Sequence, residues 1–431
     1  MSAKSSRRNF ILGAGGVAAS LAWPMSAALA AGKTGKHAKV IVIGGGFGGA
    51  TCAKYLRKWS GGNVKVTLIE RNPTFISCPI SNLVLSGDKT INDITMTYDT
   101  LAKKWGVEVI QGEVSAIDTS KKSVTLADGK RLDYDRLVLS PGVDFSLDGL
   151  PGLQAAGAFD KVPHAWKAGE QTLLLRKQLE AMPDGGVFAL SIPRAPYRCP
   201  PGPYERTCMV ASYFKRAKPK SKVLVLDAND KIQSKEGLFK KAFQDYYADI
   251  VEYRPNSELK DVDVSKRVLN LEFDTVRADV LNVIPPQRAG KLAVDTGLKL
   301  INNRWVEVEW LSFESVNTPG VHVIGDAIFT APLMPKSGHM ANQHAKSAAA
   351  AILNLLAGEA PNPDPMLMNT GYSFVNEKNA IHVVSVHQYN HEKKSFDPNP
   401  NKSGGVSVAR NELEAKSALD WAHNIWADAL A

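Results

Sequence analysis

The side chains of this sequence best suited to redox chemistry are four cysteines, Cys52, Cys78, Cys199 and Cys208. Four cysteines in 431 residues are too few for a disulfide scaffold, so each one needs its own explanation. Cys199 follows Arg198, and a neighbouring positive charge favours the thiolate, the form that attacks or carries sulfur. Cys199 is therefore a candidate reactive thiol, with a structural cysteine as the alternative. Cys52 falls in a predicted helix and is expected in the core.

A carboxylate and the histidines are the other candidates for chemistry. Glu205, shortly after Cys199, could accept a proton, or it could be a first-turn carboxylate that complements a helix dipole. The nine histidines show no metal-ligand spacing, and we predict no metal site. No C-x-x-C-H motif occurs, so a c-type haem would have to lie on a partner chain.

A glycine-rich turn lies between two predicted strands. The apolar run KVIVI at 39–43 is typical of a buried parallel strand and leads into GGGFGG at 44–49. A helical pattern follows over 50–59, and a second strand over 64–69 ends at Glu70. This order of strand, glycine turn, helix, strand and acid predicts a dinucleotide-binding unit.

Residues of this unit have predicted parts in holding the dinucleotide. Gly44 permits the tight turn, Gly46 lets the pyrophosphate approach the backbone, and Gly49 allows close packing of the helix on the strand. The phosphate charge would lie at the positive end of the helix. Glu70 can accept hydrogen bonds from ribose hydroxyl groups, and the adjacent Arg71 is also predicted to bind the cofactor.

Two later strands indicate which dinucleotide is bound. The run 134–142 is a predicted strand ending in Ser-Pro-Gly at Gly142, and the run 319–327 is a strand ending at Gly325 and Asp326. With the glycine turn, they resemble the three fingerprints of flavoproteins of the glutathione reductase type. In that group the residue equivalent to Asp326 binds the ribityl chain of the flavin, so the resemblance implies FAD. The alternative for Asp326 is a turn residue that caps the next element.

A long alanine-rich helix is predicted after this third strand. It opens within MPKSGHMANQ at 334–343 and runs to about Leu356. A helix start aimed at a flavin ring favours negative charge on the reduced ring, and Lys336 could add to that effect. Capping of the helix by Ser337 is the simpler interpretation, and it does not exclude the functional one.

The middle of the chain has the strands of a second nucleotide-binding domain but a loop unsuited to NAD. Strands are predicted over 186–191 and 223–226, the second of them followed by Asp227. Between them, residues 193–205 read PRAPYRCPPGPYE. Phosphate is cradled by backbone N–H groups, which proline lacks. We predict that this domain kept its fold and lost its nicotinamide cofactor.

Charge and the first residues narrow the class of protein. The formal charge is +9, without a basic stripe of interleaved aromatics, so no nucleic-acid partner is expected. Arg7 and Arg8 precede an apolar run that ends in Ala-Leu-Ala at 28–30, which predicts a twin-arginine export signal and a periplasmic protein. No other stretch approaches the roughly 18 apolar residues of a membrane span, so none is expected in the mature chain.

These segments predict an α/β protein with two dinucleotide-binding (Rossmann-like) domains of the glutathione reductase type. A C-terminal α+β capping or interface domain follows, and its terminal helix, from about 411, is acidic. The predicted divisions are a signal peptide at 1–30, the first part of the FAD-binding domain at 31–150, the NAD-like domain at 151–275, the second part of the FAD-binding domain at 276–357, and the C-terminal domain at 358–431.

Three further segments resemble those of one family. They are PYRCPPGPYER at 196–206, NVIPPQRAG at 282–290 and MPKSG at 334–338. The family is the flavoprotein subunit of flavocytochrome c sulfide dehydrogenase, and the resemblance runs from the twin-arginine signal to the terminal helix. Its members are exported, pair with a cytochrome c subunit and oxidise sulfide at a flavin beside a cysteine disulfide. The resemblance implies a thioether between Cys78 and FAD and makes Cys199 one half of the redox pair.

The sequence departs from that family at the second redox cysteine. The family pattern Asn-Thr-Cys-Tyr-Ser is replaced by NTGYS at 369–373, with Gly371 in the place of cysteine. The usual disulfide mechanism is therefore in doubt. Cys208 could substitute as the partner of Cys199, but the helical pattern around it could turn it away. Cα atoms more than about 7 Å apart cannot be bridged without movement.

We expect an FAD-dependent oxidation of hydrogen sulfide to sulfur or polysulfide, with a c-type cytochrome subunit as electron acceptor. Cys199, Glu205 and Lys336 are the predicted catalytic residues. Gly371 leaves two alternatives open: a diverged relative acting on another sulfur compound, and a flavin-holding electron-transfer or assembly subunit without sulfide activity. A sulfide:quinone oxidoreductase would need an apolar membrane patch, and the acidic terminal helix disfavours it. The proline-rich loop disfavours a nicotinamide-dependent reductase.

Overall fold

A seven-stranded sheet is the largest in the computed structural model, which describes residues 37–431. The predicted signal peptide at 1–30 lies outside the described residues. Three inner strands of the sheet are short apolar runs that are mostly buried on both faces, as inner parallel strands are. From one edge to the other, the seven strands are Val308–Glu309, Glu314–Ser315, Thr318–Val323, Arg136–Leu139, Lys39–Ile43, Lys65–Glu70 and Glu108–Gln111.

The register of this sheet brings the predicted fingerprints to one edge. Lys39–Ile43 pairs in parallel with Lys65–Glu70 on one side and with Arg136–Leu139 on the other. Thr318–Val323 pairs in parallel with Arg136–Leu139. Because the carboxyl ends of parallel strands meet at the same edge, the glycine turn, Glu70 and the later fingerprint residues gather there.

A second sheet has four parallel strands, in the order Val251–Arg254, Lys222–Asp227, Val187–Ile192 and Val280–Val283. Its core strand Val187–Ile192 is followed by the proline-rich loop and then by the helix Gly202–Ala217. The predicted fold class, with two dinucleotide-binding domains, is confirmed. The numerical boundaries of the domains stay predictions.

A third sheet lies in the C-terminal part of the chain. It pairs Met366–Phe374, Ala380–Asn390 and Ser395–Pro398 in order, and Gly405–Val406 adds to the middle strand. The sequence indicates the middle strand but not Met366–Phe374. Asn369 and Gly371 within that strand have low β propensity, and pairing with a long partner strand overrides it.

The remaining elements connect these sheets. The small sheets are Val114–Asp118 with Ser123–Leu126 and Arg131–Asp133, Leu259–Asp263 with Val268–Leu271 and Thr275–Arg277, Phe75–Ile76 with Thr95–Met96, Val143–Phe145 with Gln287–Ala289, and Leu300–Ile301 with Trp305–Val306. The helices are Phe47–Trp59, Ser81–Ser86, Asp99–Lys103, Pro151–Gln154, Ala158–Lys161, Glu170–Ala181, Gly202–Ala217, Glu236–Tyr247, Lys291–Asp295, Gly338–Leu356 and Glu412–Leu430, with single 3-10 turns at Asn92–Ile94 and Gly325–Ala327.

The terminal helix Glu412–Leu430 is an integral part of the core, not a free surface helix. Its Trp426 indole N–H donates to the hydroxyl of Ser77 at 2.9 Å. The ammonium of Lys54 donates to the last carbonyl oxygens of the same helix, those of Ala427 and Asp428. These bonds dock the helix on the FAD-binding domain beside Cys78.

Across residues 37–431, no helix has both the length and the apolar character needed to cross a membrane. Within the same range, no cluster of three or more histidine, cysteine, aspartate or glutamate side chains is arranged as metal ligands.

Candidate active site

One large cavity lies where the carboxyl edges of the two parallel sheets face the C-terminal sheet. Its volume is about 1230 Å³. The cavity collects most of the residues predicted from the sequence to bind the cofactor or do chemistry, namely Gly46, Glu70, Arg71, Cys78, Gly142, Cys199, Glu205, Gly325, Asp326 and Lys336. Gly44 and Gly49 lie behind the wall and shape it.

Of the three fingerprint glycines in the turn, Gly46 is open, and Gly44 and Gly49 are closed. A Cβ on Gly44 would lie 2.3 Å from the carbonyl oxygen of Ser140, and a Cβ on Gly49 would lie 1.7 Å from that of Gly44. Neither position can carry a side chain, since these contacts are to backbone. A Cβ on Gly46 would meet nothing within 4 Å. The open face of Gly46 therefore leaves room for a ligand to approach the backbone.

The helix after the turn begins earlier than the sequence predicts, at Phe47 rather than at residue 50. The first-turn N–H groups of a helix have no partner inside the helix, so glycines are accepted there. Glu70 ends the next strand, and its carboxylate accepts from the backbone N–H groups of Gly45 at 2.6 Å and Asn72 at 2.8 Å. The carboxylate stays at the cavity edge, next to the exposed Arg71.

Asp326 carries an unsatisfied acceptor in the cavity wall. Its Oδ1 is shielded from solvent and has no hydrogen-bond partner among the described residues. Burial raises the pKa of the Asp326 carboxyl group, against the opposing charges of Arg198 and Lys336. Buried polar groups are nearly always hydrogen-bonded. The hydroxyl groups of a ribityl chain would satisfy this oxygen, so the residues present fit FAD.

Lys336 lines the cavity, and its side chain is bonded to a neighbouring turn. Its Nζ donates to the backbone carbonyl oxygens of Asp326 at 2.9 Å and Ile328 at 2.5 Å, and it lies 3.6 Å from the centre of the Trp305 ring. Burial lowers the pKa of Lys336 to about 7. The ammonium therefore supports the turn that carries Asp326. The hydroxyl of Ser337 accepts from the N–H of Met340 and caps the helix, as the simpler interpretation predicts.

Cys199 lies in the proline loop, defined here as residues 193–201, just before the helix Gly202–Ala217. Its backbone N–H donates to the carbonyl oxygen of Lys336 at 2.8 Å. A Cβ on Gly202 would come within 2.9 Å of the Cys199 Sγ. The thiol therefore lies against the start of the helix, and glycine at 202 keeps the space that it needs.

The charge of Arg198 acts on Cys199 in the direction that the sequence predicts, but it is outweighed. Burial first and the carboxylate of Glu205 second raise the pKa of Cys199 to about 12, against the lowering effect of Arg198 and Lys235. Arg198 therefore favours the thiolate, as predicted, without making it the main form. Loss of water around the thiol outweighs the attraction of the charge. The residue is only half-buried, but what it faces is the cavity.

Glu205 has the features of both interpretations made from the sequence. It lies in the first turn of the helix Gly202–Ala217, and it also lines the cavity. Its Oε1 accepts from the N–H of Phe374 at 2.8 Å, and its Oε2 accepts from the side-chain amide of Asn82 at 2.8 Å. Burial raises the pKa of the Glu205 carboxyl group. The group joins the second domain to the C-terminal sheet.

Lys235 is a charged residue of this site that sequence reasoning missed. Its Nζ donates to the carbonyl oxygen of Gly371 at 3.2 Å and to the hydroxyl of Ser373 at 2.8 Å. Burial lowers the pKa of Lys235 to about 8, against the raising effect of Glu205 and Cys199. A single lysine ahead of a helix gives no signal in the sequence, because only the fold brings it behind Gly371.

No disulfide joins the four cysteines, all of which lie within the described residues. Cys208 is fully buried in the core of the second domain, six residues after the start of its helix at Gly202. That is about 9 Å along the helix axis from the end at which Cys199 lies. The pair considered from the sequence is therefore not formed. Cys52 is fully buried, as predicted, and burial raises the pKa of both buried thiols.

Position 371 has room for a side chain. Gly371 lies in the strand Met366–Phe374 and lines the cavity. A Cβ there would meet only the side chain of Val383, at an ordinary contact distance of 3.7 Å. The glycine is not required by the backbone, so its presence concerns the site and not the fold.

Cys78 follows the short strand Phe75–Ile76 and faces the cavity. Its Sγ lies 3.8 Å from the carbonyl oxygen of Trp166. A guanidinium nitrogen of Arg198, Nη2, donates to that same oxygen. Arg198 therefore has Cys78 as a close neighbour.

The second domain has no free acceptor where a nucleotide ribose would bind. Asp227 ends the strand Lys222–Asp227 and is fully buried. Its carboxylate accepts from the hydroxyls of Tyr204 at 2.7 Å and Tyr253 at 2.9 Å, and from the N–H of Asn229 at 3.0 Å. Tyr204 lies in the first turn after the proline loop. This closed geometry favours the prediction that the domain binds no nicotinamide.

Three family models match the chain. Pyridine nucleotide-disulphide oxidoreductase matches residues 38–177. The central part of the sulfide dehydrogenase (flavocytochrome c) flavoprotein chain matches residues 172–285. The flavin-binding part of flavocytochrome c sulphide dehydrogenase matches residues 363–430. The last match supports the FAD prediction.

Curated proteins and solved structures that are similar to this chain include sulfide oxidoreductases. The mitochondrial sulfide:quinone oxidoreductase of Mus musculus is 23% identical over 307 residues, 67% of this chain and 65% of that protein. The sulfide-quinone reductase of Aquifex aeolicus is 36% identical over 107 residues, 25% of this chain and 24% of that protein. The chain thus matches less than two thirds of the length of either relative. The solved structure of the sulfide:quinone oxidoreductase from Aquifex aeolicus has a TM-score of 0.73 and 20% identity over 91% of both chains, a likeness of fold.

A flavoprotein sequence matches a short segment of this chain at high identity. The sulfide dehydrogenase (flavocytochrome c) flavoprotein chain of Chlorobaculum thiosulfatiphilum is 54% identical over 46 residues, which are 11% of this chain and 94% of that sequence. With the two family models that carry the same name, this match shows the family. The chain belongs to the flavoprotein chains of flavocytochrome c sulfide dehydrogenase.

Proposed function

We propose that this protein binds FAD, oxidises hydrogen sulfide at Cys199 and passes the electrons to a c-type cytochrome on a separate chain. One observation carries the proposal. A single cavity of about 1230 Å³ brings the thiol of Cys199 into the same space as the cofactor residues Gly46, Glu70 and Asp326. Family membership supports the reaction class, and the shared cavity supports Cys199 as the residue that carries it out.

The cavity wall would hold FAD at three points. The open face of Gly46 would receive the pyrophosphate at the start of the first helix, and Glu70 would bind the adjacent ribose. The unpartnered oxygen of Asp326 would accept from the ribityl chain. When bound, FAD supplies the two-electron acceptor that sulfide oxidation needs.

Cys199 would capture the sulfur. A new S–S bond would form between the Cys199 Sγ and the sulfur of sulfide, one S–H bond of each partner would break, two protons would leave, and the two electrons would go to the acceptor that FAD supplies when bound. Because its pKa is raised to about 12, Cys199 is a thiol at neutral pH and needs a proton acceptor. The carboxyl group of Glu205, whose pKa burial raises, would take that proton.

Partner, location and cofactor linkage complete the proposal. The electrons would leave singly to a c-type cytochrome, which must be another chain because this sequence has no haem-attachment motif. Export by the twin-arginine route, predicted from Arg7 and Arg8, would place both chains in the periplasm. The thiol of Cys78, which faces the cavity, would join the flavin covalently.

Gly371 supports a second candidate function. Cys199 has no disulfide partner, and a reaction that needs a cysteine pair has only one of its two thiols. The chain would then be a flavin electron-transfer subunit without sulfide activity, or it would act on another sulfur compound.

An anaerobic titration with sulfide tests the main proposal. The visible absorbance of the flavin in the purified protein should bleach on addition of sulfide. The variant Cys199→Ser should keep its flavin and lose the bleaching, because the sulfur has no thiol to join. If the wild-type flavin stays oxidised at every sulfide concentration, sulfide oxidation is excluded and the second candidate takes its place.

Cys208→Ala is the matched control for the loss of a thiol. Cys208 is buried in the core of the same domain and lies outside the cavity wall. It should bleach as the wild type does. Loss of bleaching in this variant, with its flavin retained, would instead implicate Cys208 as the partner of Cys199.

A further inference from the structure

Cys78 and Arg198 meet at one backbone oxygen, although 120 residues separate them in the chain. The Cys78 Sγ lies 3.8 Å from the carbonyl oxygen of Trp166, and the Nη2 of Arg198 donates to that oxygen. Among the charges that raise the pKa of the Arg198 guanidinium, Cys78 acts most strongly, ahead of Asp326 and Cys199. The guanidinium therefore has Cys78 as a close partner, besides the cysteine that follows it in sequence.

The backbone on both sides fixes Arg198 in this place. The N–H of Arg198 donates to the side-chain oxygen of Gln287 at 2.8 Å, and the next N–H, that of Cys199, donates to the carbonyl oxygen of Lys336 at 2.8 Å. Both partners lie in other segments of the FAD-binding domain. The proline loop is thus tied to that domain at the residue whose side chain reaches Cys78.

The segment around Cys78 is held as firmly. The N–H of Ser77 donates to the carbonyl oxygen of Ile94 at 2.9 Å, and its hydroxyl accepts from the Trp426 indole at 2.9 Å. The hydroxyl of Ser81 donates to the carbonyl oxygen of Cys78 at 2.6 Å. Thiol and guanidinium are therefore both pre-positioned at the cavity, and neither needs to move to meet the other.

We infer that Arg198 is the residue that positions Cys78, and stabilises negative charge developing on its sulfur, during formation of its covalent bond to FAD. The inference rests on the proposed linkage through Cys78 and adds the group that drives it. The thiolate is the nucleophilic form of cysteine, and a guanidinium in contact stabilises that anion. Arg198 therefore serves attachment of the cofactor, while Cys199 serves the substrate.

The bond-forming step has a complete balance. One S–H bond of Cys78 and one C–H bond of a ring methyl group on the flavin break, and one C–S bond forms. Two protons leave, and two electrons are taken up by the flavin ring itself. Dioxygen then reoxidises the ring and becomes hydrogen peroxide. Arg198 enters this balance only by stabilising the negative charge that develops on the Cys78 sulfur as its S–H bond breaks.

The fraction of flavin that stays with acid-precipitated protein tests the inference without any assay of sulfide oxidation. Intact mass gives the same fraction independently, as a species heavier by one FAD less two hydrogens. In Arg198→Met the covalent fraction should fall by about tenfold or more at early times after FAD addition, the scale of one charge-assisted hydrogen bond. Arg198→Lys should retain part of it, since the positive charge remains.

Arg194→Met is the matched control, because Arg194 lies in the same loop but is exposed and pairs with Glu258. It should attach flavin as the wild type does. Raising the pH of Arg198→Met should restore attachment, because hydroxide then supplies the thiolate, and a purely structural role of Arg198 predicts no such rescue.

Two outcomes separate this inference from the proposed function. If the wild-type protein itself releases all its flavin in acid, the linkage through Cys78 in the proposed function fails. If the wild type attaches flavin and Arg198→Met attaches it at the same rate, only the role of Arg198 fails. Loss of total flavin from Arg198→Met, together with no rescue at high pH, would assign Arg198 to binding and overturn its role in bond formation.

Discussion

The two nucleotide-type domains of this protein share the same order of elements. They differ at the turn after the first strand, which is open in the first domain and filled in the second. Each has a parallel strand, a turn, a helix and a second strand that ends in an acid. In the first domain the turn is glycine-rich, and Gly46 faces open space. In the second the turn is the proline loop, and Tyr204 in the following helix fills the space toward Asp227.

The acids at the two strand ends show what this difference means. Glu70 binds backbone N–H groups of its own turn and stays at the cavity edge, available to a ribose. Asp227 is fully buried and already accepts two tyrosine hydroxyls and the groups of Asn229. A shared fold therefore does not give a shared function. In the first domain the turn after the first strand can hold a cofactor. In the second domain the corresponding turn is the proline loop, which carries Cys199.

The largest expected effect follows from filling the open cradle. In Gly46→Val the side chain would occupy the space where the pyrophosphate approaches the backbone, while the fold has nothing nearby to clash with. We expect flavin affinity to fall by about a hundredfold or more, near 2.7 kcal/mol. Flavin per polypeptide after purification measures it. Gly237→Val is the control, because Gly237 is equally open but lies in a distant helix. Full flavin in Gly46→Val would contradict the assigned cradle.

The second domain can be tested by removing the hydroxyl group of Tyr204. Tyr204→Phe deletes the hydroxyl that donates to the buried carboxylate of Asp227 at 2.7 Å. Unfolding in urea should show a loss of about 1–3 kcal/mol, because a buried acceptor loses a partner. NADH should still not bind, since the prolines remain. Tyr213→Phe, on the same helix, should be near neutral. Reduction of the flavin by NADH in either variant would contradict the claim that the second domain binds no nicotinamide cofactor.

The second domain carries a thiol where a nucleotide would bind, and a substitution at Lys235 tests what controls the reactivity of that thiol. Its positive charge lowers the pKa of Cys199, so Lys235→Met should raise that pKa above its present value of about 12. Iodoacetamide labelling of Cys199 should then be slower at every pH, by about tenfold for one pKa unit. Between pH 7 and 10 the wild-type rate should rise with pH without a plateau, because the thiol is still largely protonated there.

Glu205→Gln is the opposite test of the same charges. The carboxylate of Glu205 raises the pKa of Cys199, so its neutral replacement should lower that pKa and speed labelling. Equal labelling rates in both variants would mean that these groups do not control the thiol. Lys240→Met is the matched control for the loss of an ammonium, since Lys240 is exposed and pairs with Glu236.

The smallest effect is expected at Gly371. In Gly371→Cys the new side chain meets only Val383, at 3.7 Å, so stability should change by less than about 1 kcal/mol. Mild oxidation should then join residue 371 to Cys199, and peptide mapping would find the link. Gly371→Ala controls for the added carbon. If no link forms although the protein is folded, the strand does not present position 371 to Cys199.

Local features of this protein are well predicted by the sequence. The glycine spacing predicts the turn, because only glycine tolerates the backbone contacts at Gly44 and Gly49. The loss of N–H groups in the proline loop is also a local property. The strand Met366–Phe374 escapes prediction, because its order comes from pairing with a partner strand.

The sequence by itself determined the cofactor class, the two domains and the candidate cysteines, because these depend on short segments of backbone. Only the tertiary structure decided which groups act on which. The guanidinium of Arg198 lies beside Cys78, and the side chain of Lys336 bonds to the turn that carries Asp326. Lys235 lies behind the strand in which Gly371 replaces a cysteine. The physical reason is that hydrogen-bond partners and pKa values depend on burial and on charges far apart in the chain.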